Sequence, residues 1–260
     1  MLKNQTRRVV AGMVTGLLSF AATAAPRSEL IEVAPRIQLH LLEDGKASGH
    51  ATLVLIPGWT LTASIWSHQI ETFGRDRRVI AIDPRSQGDS TKTGEGDTPE
   101  QRARDYHVLL NSVHAGMGAT NLPNILPFAV QQLRLLPLLS DSPRDYAEGM
   151  MRAIITKPLS DVDLNHLVSE ALKTPSATAE AMLIADLFGK DRTAAMAKFT
   201  VPTLIIASER SAELAQQVDL AKQLPNARIV VVAQAGHAVF VDQPDRFESV
   251  VRDFLDQLPG

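Results

Sequence analysis

The chain has 260 residues, 45% hydrophobic and 21% charged, an ordinary globular composition with enough chain for one sizeable core. A formal net charge of −3 gives no electrostatic basis for binding nucleic acid or an anionic membrane. With zero cysteines, disulfides, a thiol nucleophile and thiolate metal sites are excluded.

Lys3, Arg7 and Arg8 precede an apolar run from Val9 to Phe20 and the small-residue tract Ala21-Ala22-Thr23-Ala24-Ala25. This is the layout of a secretory signal peptide over 1–24, with cleavage after Ala24. The run is short of the roughly 20 residues that span a bilayer, although an uncleaved N-terminal anchor is the alternative. Arg7-Arg8 also fits a twin-arginine route, with nothing else to support it. Cleavage would remove three basic residues and no acidic ones, taking the charge from −3 to −6. The expected location is periplasmic or extracellular, with no membrane attachment after cleavage.

From Glu29 to Glu43 the pattern predicts two short strands, with Ile37-Gln38-Leu39-His40-Leu41 alternating as a half-buried strand does. Ala51–Ile56 is continuously apolar and ends in Pro57-Gly58, which suits a strand buried on both faces. Ser64–Phe73 reads as a helix and Arg78–Ile82 as another buried strand, stopped by Asp83-Pro84. A second helix opens at Asp97-Thr98-Pro99-Glu100, with Asp97 as its N-cap, and runs to about Val113. Residues 121–198 are helical in pattern and broken by prolines. Strand signals return at Thr203–Ala207 and Arg228–Val232, with helices at Ala212–Leu224 and Pro244–Leu258. Strands alternating with helices predict an α/β fold, a mostly parallel sheet flanked by helices.

His237 is the strongest chemical signal. It follows a buried strand in a turn begun by Gly236, where a side chain projects from the carboxyl edge of the sheet, and ligand and catalytic groups collect there. An imidazole suits general-base work near neutral pH. The alternative is a core or capping histidine.

Ala235-Gly236-His237-Ala238 followed by Phe240-Val241-Asp242-Gln243-Pro244 resembles the histidine segment of the α/β-hydrolase superfamily, in its esterase and haloperoxidase-like branch. Val54-Leu55-Ile56-Pro57-Gly58-Trp59 looks like that family's first oxyanion loop, and Val79 through Ser90 resembles its next strand and turn. The resemblance implies four parts: 1–24 as signal peptide, 25–120 as the N-terminal part of the core, 121–199 as a helical cap, and 200–260 as the C-terminal part. It implies hydrolysis of an ester or similar small acyl substrate by a Ser-His-acid mechanism, with no metal and no cofactor. Gly58 and Trp59 would form the oxyanion loop, the Trp59 N–H being one donor. A simple tight turn with a packed Trp is the alternative. The family often places its acid after the penultimate strand, where Glu209 is the nearest match, beside Arg210.

The chain departs from the family at its centre. No Gly-x-Ser-x-Gly occurs, and only His114 to Asn121 lies between the second helix and the proline-rich entry to the cap. Eight residues cannot make two strands and a helix, because a crossover unit needs at least about 10–12. The spacing therefore predicts that the nucleophile elbow and the central fifth and sixth strands are deleted. Ser86, in Pro84-Arg85-Ser86-Gln87-Gly88, lacks the strand-turn-helix context of an elbow. Ser112 sits on a helix and Asp191 in the cap; both are poorer substitutes. If the acid lay after the sixth strand, it went with the deletion. The copy is expected to be impaired, with a ligand-binding module or a truncated, non-functional product as the rivals. Apolar strand edges left bare would invite self-association; the remedy expected is direct pairing of Ala51–Ile56 with Thr203–Ala207.

Overall fold

A computed structural model describes residues 25–110, 134–187 and 199–258. The signal-peptide reading, Ser112, Asp191 and the eight-residue link 114–121 lie outside the described residues. Two strands open the fold, β1 (Arg27–Ala34) and β2 (Ile37–Asp44), paired antiparallel around a tight turn in which Arg36 takes φ 66°. β3 (Leu53–Leu55) pairs in parallel with β4 (Val79–Ile82), and β4 pairs antiparallel with β2, giving the order β1-β2-β4-β3. Between β3 and β4, a short 3-10 turn (Ala63–Trp66) leads into α1 (Ser67–Gly74).

Period-2 alternation sends the sheet's side chains to two cores. On one face Leu39, Leu41, Ile80 and Ile82 pack against Tyr106 and Leu109 of α2 (Pro99–Leu110). On the other, Leu55, Val79 and Ala81 meet Ile70 and Phe73 of α1, both 0% exposed. Four helices follow, α3 (134–141), α4 (Pro143–Ile154), α5 (Asp161–Ala171) and α6 (Ser176–Leu187). Met151, Leu164 and Val168 recur at helical spacing and close the α4–α5 seam. β5 (Thr203–Ser208), α7 (Leu214–Gln223) and β6 (Ala227–Val232) form a parallel strand-helix-strand unit. A single helical turn, α8 (Val239–Asp242), and the amphipathic α9 (Pro244–Leu255) follow.

The expected pairing of 51–56 with 203–207 does not occur. Among the described residues β3 pairs with β4, and β5 with β6, in two separate sheets. Helical contacts join the two halves. Gln69 Nε2 of α1 donates to Phe240 O at 3.1 Å, and Trp66 stacks on Phe240 with centroids 4.0 Å apart. Arg252 of α9 binds Asp76 and Thr72 O and lies 4.7 Å above the Phe73 ring. These contacts tie α1 and its flanking turns to the α8–α9 segment. Both strands remain half-buried over most of their length, unlike β4, which is buried throughout.

A second correction concerns α2. Its cap is Thr98, whose Oγ1 accepts the Gln101 N–H at 3.2 Å. Asp97 instead turns inward towards Thr93, with one buried oxygen unpartnered, and burial pushes its pKa up.

Candidate active site

The turn after β3 is built on a positive φ of 57° at Thr60 and pinned by one buried side chain. Gln87, 0% exposed, accepts the Thr60 N–H at 3.0 Å and donates to Gly58 O at 3.2 Å and Leu61 O at 2.9 Å. Gly58 is exposed and Trp59 half-buried. The Trp59 indole reaches α6 and α4, donating to Ala179 O at 3.0 Å and meeting Tyr146 edge-on at 5.8 Å. Thr60 also borders a cavity of about 20 Å³, with Met150 and Thr174 among its walls. A space of that size holds about one water.

The His237 loop leaves β6 and is fastened at both ends. Ser208 Oγ donates to Ala235 O at 2.6 Å, and Ala238 N donates to Ile154 O, at the end of α4, at 2.8 Å. Asp242 accepts Gly236 N at 2.6 Å, Lys157 N at 2.7 Å and the Thr156 hydroxyl at 2.8 Å, and it also accepts Thr156 N. Burial opposes its charge, but these amide and hydroxyl donors outweigh it and lower the Asp242 pKa. A Cβ at Gly236 would stand 2.8 Å from Thr156 Cγ2 and 2.9 Å from Ile154 O, so the close approach requires glycine. On this fixed loop the His237 side chain is 63% exposed, with Nδ1 3.9 Å from Glu213 Oε2. That separation is an ion-pair distance and too long for a hydrogen bond.

The structure does not bring the sequence candidates together. Glu209 is exposed just past β5, and its carboxylate has no partner among the described residues. Glu213, not singled out by sequence, is the carboxylate nearest His237. Ser211 Oγ orients it from 2.7 Å. Ser86 is 0% exposed at φ 62°, and its hydroxyl is engaged with Thr93 Oγ1 at 3.0 Å and Thr93 N at 3.0 Å. It is a turn residue with its hydroxyl already committed.

A tighter constellation lies elsewhere. His40 Nδ1 is 2.8 Å from Asp83 Oδ2, and His40 Nε2 is 2.9 Å from Ser28 Oγ. Asp89 adds a third donor to His40 and Asp83, their ligand atoms all within 4.8 Å of one another. Lys173 Nζ already sits 2.8 Å from Asp89 and holds its pKa down, so a cation is supplied there by the protein itself.

No family model matches the chain. Its sequence is similar to pimeloyl-(acyl-carrier protein) methyl ester esterase of Vibrio parahaemolyticus, 24% identical over 78% of this chain and 93% of that protein. In structure it is similar to a bromoperoxidase from Bacillus anthracis, with TM-score 0.76 and 16% identity, covering 89% of this chain and 100% of the other. A thermophilic esterase from Thermogutta terrifontis superposes with TM-score 0.73 at 18% identity, covering 89% and 98%. Strand order, flanking helices and histidine loop define one class, the α/β-hydrolase fold.

Proposed function

We propose that this chain is a carboxylic-ester hydrolase scaffold whose acyl-transfer step is impaired by loss of the nucleophile elbow. The observation that carries the reading is the His237 loop, built and clamped as a base-bearing loop at the carboxyl end of β6, beside a half-sheet that stops at β5. Esterase relatives support the ester substrate. Impairment is supported by the same comparison: the match to the Vibrio esterase runs over 243 positions but uses 78% of 260 residues, about 203, leaving about 40 positions without a residue here. That length is close to one strand-helix-strand unit, which takes roughly 30 residues or more.

In this reading His237 is the base, with Glu213 or Glu209 as its acid, and the Trp59 N–H is the surviving oxyanion donor. The substrate is a small acyl ester taken beneath the cap. Residues 1–24 direct export, and the bare edges of β3 and β5 favour self-association. Without a nucleophile, oxyanion donors and binding alone leave roughly 10³–10⁴-fold acceleration over water.

Hydrolysis of p-nitrophenyl acetate and butyrate by the protein lacking residues 1–24, beside His237→Ala, tests this. The expected result is that a folded, soluble sample shows no turnover that depends on His237. Turnover that His237→Ala abolishes would overturn the impairment.

A further inference from the structure

We propose that Ser28, His40 and Asp83 form a second reactive centre, in which Ser28 is an activated nucleophile towards small electrophilic esters and phosphonates. The three residues come from β1, β2 and the turn after β4, all within one half-sheet, so the centre is independent of the missing segment. The geometry runs in the order such chemistry needs. Asp83, 1% exposed, accepts the Ala63 N–H at 2.6 Å and the Asp89 N–H at 2.8 Å, so it is the acceptor at its contact with His40. The proton between them therefore sits on His40 Nδ1. Nε2 is left with its lone pair directed at Ser28 Oγ, 2.9 Å away. That is the tautomer of a general base poised on a hydroxyl.

Two features separate this arrangement from a network that merely satisfies a buried histidine. The imidazole is largely buried and oriented by Asp83: its side chain is 11% exposed, its ring meets Asp83, and the His40 main-chain N–H is fixed to Ser90 Oγ at 2.8 Å. Ser28, in contrast, is exposed, on the strand at the sheet's edge, where a substrate can reach the hydroxyl. The base is ordered and the nucleophile is open.

In the step proposed, Ser28 Oγ attacks the carbonyl carbon or phosphorus, and its proton passes to His40 Nε2. The leaving alkoxide, phenoxide or fluoride departs with that proton as the bond to it breaks. For an ester, water then adds to the acyl-Ser28 with His40 Nε2 as base, and Ser28 is regenerated as the acid is released. Phosphonyl-Ser28 would persist.

The test is labelling of the protein lacking residues 1–24 by a fluorophosphonate, read by intact mass and peptide mapping. One adduct on Ser28 is expected, absent in Ser28→Ala and unchanged in His237→Ala, which separates this centre from the ester site proposed above. Because the chain has no cysteine, Ser28→Cys introduces a single thiol whose alkylation by iodoacetamide reports the base directly. At pH 7 it should react at least about tenfold faster than Val162→Cys, a control on α5 that is 78% exposed, since thiolate formation sets the rate. Adding His40→Gln should remove the difference. A folded protein left unlabelled at Ser28, or a Ser28→Cys thiol no faster than the control, overturns the proposal.

Discussion

Gln87 commits its whole carboxamide to the turn that carries Trp59: its oxygen takes one amide and its nitrogen serves two carbonyls. Gln87→Ala would strand these groups in a buried site and should cost roughly 2–3 kcal/mol in urea unfolding. Asp242 acts similarly between the cap and the histidine loop. Its pKa lies below the ordinary 3.8, so its ionised form stabilises the fold above that value, and the contribution is lost as pH falls through the lowered one. Stability of the parent protein should therefore fall below about pH 4, while Asp242→Asn should start lower at pH 7 and change less over the same range, as followed by thermal unfolding. Asp97 has the opposite sign. Its raised pKa means that ionisation opposes folding as pH rises past 3.8, so Asp97→Asn should raise the Tm at pH 7. Sequence offered Asp97 as a cap because Asp is among the preferred N-cap residues, ahead of Thr. Which of two adjacent residues faces the helix end depends on the turn before it, and here Thr93 and Ser86 draw Asp97 inward.

Among elements, those with strong periodicity were legible. The β1–β2 hairpin, β4 and α9 form where alternation or helical spacing predicts them, because each has a complete partner face. β3 is the informative exception. Five apolar residues and Thr52 predict a strand over 51–56, yet three are in strand conformation, those paired with Val79, Ile80 and Ala81 of β4. The His237 loop depends on a different element, the end of α4. Gly236→Ala should push Thr156 and the Ile154 carbonyl away and cost about 1–3 kcal/mol, the usual penalty of overpacking. Because the Ala238 amide bonds Ile154 O at 2.8 Å, that variant should also raise its exchange.

For the molecule as a whole, two half-sheets are joined, among the described residues, through helices rather than through strands. The amides of β3 and β5 on the sides away from β4 and β6 have no ladder partner among the described residues, so they should exchange faster than those of β4 in hydrogen-exchange measurements. Their apolar side chains are half-buried, and concentration-dependent association by light scattering is the expected companion result.

Sequence alone determined the class: apolar runs at strand length, helices between them, and the Gly-His turn. These are local, written in spacing and residue type. Tertiary structure decided what lies side by side. It put Glu213 rather than Glu209 nearest His237, because the turn after β5 folds back onto α7. It enclosed Ser86 in its own turn. It aligned Ser28, His40 and Asp83, through the antiparallel register of β1 on β2 and the place where β4 ends. Contacts between residues 12 and 43 positions apart follow from pairing and packing, and no pattern along the chain encodes them singly.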